Sequence, residues 1–207
     1  MHFTKMHGLG NDYLYVYGVV PPDVAEISQR LSDRHFGAGS DGMIYIGPST
    51  VADFAMRIFN ADGSEALMCG NGIRCVGKFV YDKGLTQKTA LRIETLSGVK
   101  DVGLEVVDGY VTRATVDMGK AEVRDALELE VGATTVRGIP VSVGNPHFVV
   151  FVGDAQESPV DSVGSRIERH EAFPDGVNVE FAQVLARDEI RMRVWERGSG
   201  VTMACGT

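Results

Sequence analysis

The 207-residue chain contains no apolar run long enough to cross a membrane, so a bilayer-spanning helix is not expected. Its opening, Met-His-Phe-Thr-Lys-Met-His-Gly, lacks the basic, apolar and small-residue succession of a secretory leader, and cytoplasmic residence is predicted. No basic cluster occurs. Lys and Arg number 20 against 28 for Asp and Glu, and a net charge of −8 makes nucleic acid a poor partner. Cysteine is scarce and odd in number: the three lack metal-ligand spacing, which argues for reduced thiols and against a metal centre. Low-complexity tracts and linkers are absent too. What remains, 44% hydrophobic and 23% charged, suffices for a packed core in one or two domains.

The most informative stretch is residues 60–84. It opens with a turn at Asn60-Ala-Asp-Gly-Ser64 and closes with a helix that stops before Gly84, a residue suited to the left-handed position past a helix end. Ile73, Val76, Gly77 and Val80 form one apolar stripe on that helix. Cys69 therefore falls at its first turn, where backbone N–H groups without intrahelical acceptors favour negative charge and draw a thiol toward its thiolate. Gly70 and Gly72 flank Asn71 and allow a ligand to approach the backbone. This predicts an anion-binding loop with a basic or nucleophilic sulfur in its mouth. Cys75, six positions on, reads as a small buried packing residue. Gly72, Gly77 and Lys78 imitate a P-loop, but Phe79 stands where a metal-binding hydroxyl is required and the glycines lie within the helix.

The arrangement occurs twice. Met56-Arg-Ile-Phe-Asn60 leads to Cys69-Gly70, and Met192-Arg-Val-Trp-Glu196 leads to Cys205-Gly206, at a constant offset of about 136 positions. Upstream, Gly10-Asn11 and Asp41-Gly42 correspond to Gly144-Asn145 and Asp175-Gly176, at an offset about two smaller. Five landmarks in one order indicate a duplicated unit with one thiol in each copy. A thiolate on one face of a tetrahedral carbon and a thiol on the other is what inversion of a stereocentre requires. On the residues alone, two buried structural thiols remain an equal alternative. The first copy continues past its Cys-Gly step into a helix and further strands, whereas the second stops at Thr207, so the second copy is expected to lack its C-terminal part.

Strands are predicted at residues 3–6, 13–20, 43–46, 54–59, 91–94, 99–107 and 110–116, with Asp108-Gly109 as a two-residue hairpin turn. In the second unit they are predicted at 127–131, 134–139, 141–143, 148–152, 177–184 and 189–195. Short helices are expected after Asp23, as a cap, and over residues 160–170.

Four segments together resemble the diaminopimelate epimerase family: Asn60-Ala-Asp-Gly-Ser with Met68-Cys-Gly-Asn-Gly-Ile-Arg74, Glu196-Arg-Gly-Ser-Gly-Val-Thr-Met-Ala-Cys-Gly-Thr207, Gly8-Leu-Gly-Asn-Asp12 and Gly144-Asn-Pro-His147. The resemblance runs the length of the chain. It implies a cofactor-independent enzyme that interconverts LL- and meso-diaminopimelate, for lysine and peptidoglycan synthesis. The implied fold is α/β (α+β): two similar pseudo-symmetric lobes, each a curled mixed sheet around a central helix, in a homodimer. The lobes would be residues 1–117, carrying Cys69, and 118–207, carrying Cys205. By the same resemblance Cys69 and Cys205 are the acid/base pair. Backbone N–H groups around Gly70-Asn71 and Gly206-Thr207 hold the substrate α-carboxylate, and Asn11, Asn60, Asn145, Asn178, Glu196 and Arg197 grip its amino and distal groups. His147 reads as a supporting or loop-packing residue, with catalysis the lesser reading.

Two other functions compete. A proline-racemase-like enzyme would share the two thiols, but such enzymes tend to place His after the first Cys-Gly, where Asn71 stands. A two-lobed amino-acid-binding protein would explain the asparagines but gives no reason for one thiol per copy at matched positions.

Overall fold

The structure is a computed structural model that describes residues 1–203 and 205. It divides into two compact units, Met1–Gly119 and Lys120–Cys205, each with its own sheet and core.

In the first unit the strands are β1 (Thr4–Gly8), β2 (Asn11–Tyr17), β3 (Gly42–Gly47), β4 (Phe54–Asn60), β5 (Glu65–Ala66), β6 (Ala90–Thr95), β7 (Gly98–Val107) and β8 (Tyr110–Asp117). They pair in the order β1-β2-β3-β4-β6-β7-β8, with β5 on β4. Helix α1 (Val24–Ser32) crosses between the parallel strands β2 and β3, and α2 (Gly70–Asp82) follows β5. Both ends of the sheet, β1 and β8, contact α2, so the sheet curls around it. The helix is buried through Ile73, Cys75, Val76, Phe79 and Val80. It comes this close because Gly77 faces Leu104 and Val102, where an added Cβ would lie 3.0 and 3.1 Å from their methyl groups.

Strands β2, β3 and β4 are covered on both faces. Tyr13, Tyr15, Ile44, Ile46, Met56 and Ile58 pack toward α2, while Leu14, Val16, Met43, Tyr45 and Phe59 pack with Val24 of α1. Alternate side chains point to opposite faces, so burial on both produces the near-continuous apolar runs of these strands.

Helix α2 ends as its sequence predicts. Gly84 takes φ +71°, its N–H bonds to the carbonyl of Tyr81 and that of Leu85 to Val80, the paired bonds of a Schellman cap. The β7–β8 turn likewise has both Asp108 (φ +51°) and Gly109 (φ +82°) in the left-handed region. Asp23 precedes α1, but its side chain makes no capping hydrogen bond.

The second unit contains β9 (Glu122–Val123), β10 (Leu127–Val131), β11 (Thr134–Ser142), β12 (Pro146–Phe151), β13 (Asn178–Ala186), β14 (Glu189–Glu196) and β15 (Gly200–Thr202), ordered β10-β11-β12-β13-β14-β15 with β9 on β11. The two strands expected over 134–143 are the single strand β11. The helix expected over 160–170 is a π turn, Val160–Gly164, followed by the single-turn helix α3, Ser165–Glu168. These cover one face of the sheet, with Phe148, Val150, Val179, Phe181 and Ile167 in the core.

The sequence repeat has a topological counterpart. In the first unit β1–β2 pair antiparallel, β2–β3 parallel across α1, and β3–β4 antiparallel. In the second, β11–β12, β12–β13 across the π turn and α3, and β13–β14 follow the same succession.

Candidate active site

Cys69 is the N-cap residue of α2, with extended backbone (φ −143°, ψ 109°). Its Sγ accepts a hydrogen bond from the Gly72 N–H at 3.2 Å and donates to Asn11 Oδ1 at 3.3 Å. The N–H favours the thiolate, as does the helix terminus, whereas the amide oxygen favours the protonated thiol. The sulfur thus has one contact that supports its ionised form and one that supports its protonated form. Asn11, at the start of β2, is 2% exposed and fixed by a second contact, Nδ2 to Asp41 Oδ2 at 2.9 Å. Asp41 also accepts the Asp12 N–H, and Arg34 bridges Asp12 and Asp41 at 2.8 Å each. Burial tends to raise the Asp12 carboxyl, but hydrogen bonds from Arg34 and Lys5 outweigh it and hold the group below its ordinary value.

Asn60 closes β4. Its Nδ2 donates to Ser64 Oγ at 3.1 Å, and its backbone carbonyl accepts from Ser28 Oγ at 2.9 Å. Gly70 and Asn71 form the first turn of α2, and Asn71, 1% exposed, receives Arg74 Nη2 at 2.6 Å. Cys75 lies in the core, where burial pushes its thiol up despite opposing contacts from Tyr15, Arg74 and Lys78.

In the second unit Asn178 ties Pro146, at the start of β12, to Arg197, another of the expected residues. Its Nδ2 donates to the Pro146 carbonyl at 3.1 Å, and its Oδ1 accepts the Arg197 N–H at 2.9 Å. The Arg197 guanidinium donates to the Asp175 carbonyl at 2.8 Å, and Glu196 receives Thr202 Oγ1 at 2.6 Å. Asn145 and His147 are buried and line a cavity of about 320 Å³ together with Arg124, Ser142 and Phe173. Gly206 and Thr207 lie outside the described residues.

His147 is held by a residue that the sequence did not single out. Its Nδ1 lies 2.7 Å from Glu180 Oε1, and both residues are 5% exposed. The Cys205 sulfur, an imidazole nitrogen of His147 and a carboxylate oxygen of Glu180 fall within 4.8 Å of one another. Such donors occur around zinc, but bonds of about 2.0–2.2 Å in a tetrahedron would put two ligand atoms roughly 3.3 Å apart. At 2.7 Å, Nδ1 and Oε1 are hydrogen-bonded to each other instead. The only sequence signal for Glu180 was an acid inside the apolar strand Val-Glu-Phe.

The family model of diaminopimelate epimerase matches residues 3–124 and 139–207. The diaminopimelate epimerase of Parabacteroides distasonis is 53% identical over 100% of this chain and 78% of its own, and that of Bacteroides thetaiotaomicron is 52% identical over 99% and 77%. Among solved structures, a probable proline racemase from Agrobacterium radiobacter superposes with a TM-score of 0.77 at 18% identity, covering 99% of this chain and 73% of that one. A hydroxyproline epimerase from Agrobacterium vitis gives 0.71 at 19% identity, over 99% and 72%. These two share the fold; the sequence relatives decide the family. The chain belongs to the diaminopimelate epimerase family.

Proposed function

We propose that this chain interconverts LL- and meso-diaminopimelate by proton transfer at Cα between two thiols, Cys69 and Cys205, without a cofactor. The observation that carries the reading is the setting of Cys69 as the N-cap of α2, between the Gly72 N–H and the Asn11 amide oxygen. In one direction a thiolate removes the Cα proton from one face and a thiol returns a proton to the other; the reverse reaction exchanges their roles. N–H groups of the Gly70-Asn71 turn would receive the α-carboxylate, because the first turn of a helix offers donors and a favourable dipole. Gly206 and Thr207 would do the same beside Cys205. Asn11, Asn60, Asn145, Asn178, Glu196 and Arg197 would grip the amino and distal groups, with charges of both signs matched to an amino-acid head group. His147 would support the thiol of its own unit. A homodimer in the cytoplasm completes the reading; among the described residues no helix is long and apolar enough to cross a membrane.

The test is incubation with diaminopimelate, proline and hydroxyproline isomers in deuterated water. Deuterium should enter Cα of diaminopimelate alone. Label in proline or hydroxyproline instead would favour the racemase reading, and no label in any would favour binding without catalysis.

A further inference from the structure

Glu180 and His147 form a buried ionisable pair on one face of the second sheet. Residues alternate across a strand, so Glu180 projects opposite to Val179 and Phe181, away from the core under α3. His147 pairs with Asn178 in the parallel ladder of β12 and β13, which places it on the face of Glu180. A carboxyl at 5% exposure is costly to desolvate, and replacing such a pair with apolar residues often leaves stability unchanged or improved. Packing alone therefore gives little reason for it. Beyond their mutual contact, His147 Nε2 and Glu180 Oε2 are buried with no hydrogen-bond partner among the described residues. Polar atoms left this way in a thiol-containing cluster point to a proton-handling role.

We propose that Glu180 is a positioning residue that acts through His147 to set the protonation of Cys205. With Glu180 accepting from Nδ1–H, His147 is fixed in the tautomer whose bare lone pair is on Nε2. A proton taken up at Nε2 would give an imidazolium held against the Glu180 carboxylate, and the ring, within 4.8 Å of the Cys205 sulfur, would then favour the thiolate. Loss of that proton removes the positive charge and favours the thiol. Other charged groups on this side of the sheet are Glu196, engaged by Thr202, Arg124 at the cavity that His147 lines, and Arg137, Glu128 and Glu130, exposed toward the far end of β11 and on β10. Glu180 meets His147 at hydrogen-bond distance, 2.7 Å from Nδ1 to Oε1.

The proposal concerns the state of a thiol and rests on the two-thiol reading only for its effect on turnover. The rate of Cys205 alkylation by iodoacetamide against pH, followed by mass spectrometry, tests it with Cys69 as an internal reference. Glu180→Gln keeps the shape and an accepting oxygen but removes the charge. It should move the Cys205 midpoint upward by about one pH unit or more, leave the Cys69 profile in place, and lower kcat at neutral pH at least about tenfold with little change in KM. Glu180→Asp should recover part of the shift. A Cys205 profile in Glu180→Gln that coincides with wild type overturns the proposal. Should that variant fail to fold, judged by rapid labelling of the buried Cys75, His147→Gln carries the same expectation and the same refutation. Absence of epimerisation in the wild type with the Cys205 shift intact would refute the proposed reaction and leave the role of Glu180 standing.

Discussion

Gly42, the first residue of β3, tests how the first unit holds its site. A Cβ added there would lie 2.2 Å from the Phe59 carbonyl oxygen, 2.9 Å from Asn60 Cα and 2.9 Å from Tyr13 Cε1. Carbon and oxygen approach to about 3.3 Å at closest comfort, so Gly42→Ala must push β3 and β4 apart by roughly 1 Å. The nearest obstacle is backbone, and the carbonyls of Phe59 and Asn60 are both tied to Ser28 Oγ, at 3.0 and 2.9 Å. Overpacking costs about 1–3 kcal/mol, a weakened buried hydrogen bond about 1, and a residue forced into a glycine conformation at φ +156° about 1 more. The sum is about 3–5 kcal/mol. With a urea dependence of about 2 kcal/mol/M, the unfolding midpoint should fall by about 2 M. Gly103→Ala is the control: it lies within β7, and nothing stands within 4 Å of its added Cβ. Its midpoint should hold or rise slightly, since alanine loses less chain entropy in a strand. Equal midpoints for the two variants would refute the steric account of β3 and β4.

Cys75→Ser should destabilise the fold by about 1–3 kcal/mol, because a hydroxyl replaces sulfur in an apolar core. In the wild type Cys75 should alkylate only in denaturant, since burial raises its thiol pKa, while Cys69 labels under native conditions; native labelling of both at one rate would contradict this. For Asp12, whose folded pKa is depressed, the stabilisation is present above the unfolded value near 3.9 and is lost as pH falls through the lower folded value. Asp12→Asn should therefore lower the urea midpoint at pH 6 and flatten its decline between about pH 4 and pH 2; parallel curves would refute the linkage. Asn178→Ala removes both side-chain bonds that tie Pro146 to Arg197 and should cost about 2–3 kcal/mol. If that tie is irrelevant, the midpoint of Asn178→Ala will match wild type.

Much of the first unit was legible because its signals are local. The Cys69 cap, the Gly84 stop and the Asp108-Gly109 turn each depend on a few adjacent residues and the backbone angles they permit. The duplication was legible as spacing, and the matched strand pairing now gives it structural content. Less was readable where long-range partners decide. Asp23 had the right chemistry for a cap, but its backbone does not bring the carboxylate to the helix N–H groups. Residues 160–170 carry a helical pattern, yet the chain breaks into a π turn and one α turn. The partners of Asn11 and His147, namely Asp41 and Glu180, are 30 and 33 positions away. Period-two alternation alone could not tell that Glu180 shares a face with His147.

The most direct measurement of the central claim is isomer-specific proton exchange by Cys69→Ser and Cys205→Ser, run separately with LL- and meso-diaminopimelate in deuterated water. A serine hydroxyl is too weak an acid to replace either thiol, so epimerisation should be lost in both variants. Each should still exchange the Cα proton of the one isomer that faces its surviving thiolate, and the two variants should prefer opposite isomers. Epimerisation by either variant at near wild-type rate would contradict the two-thiol account.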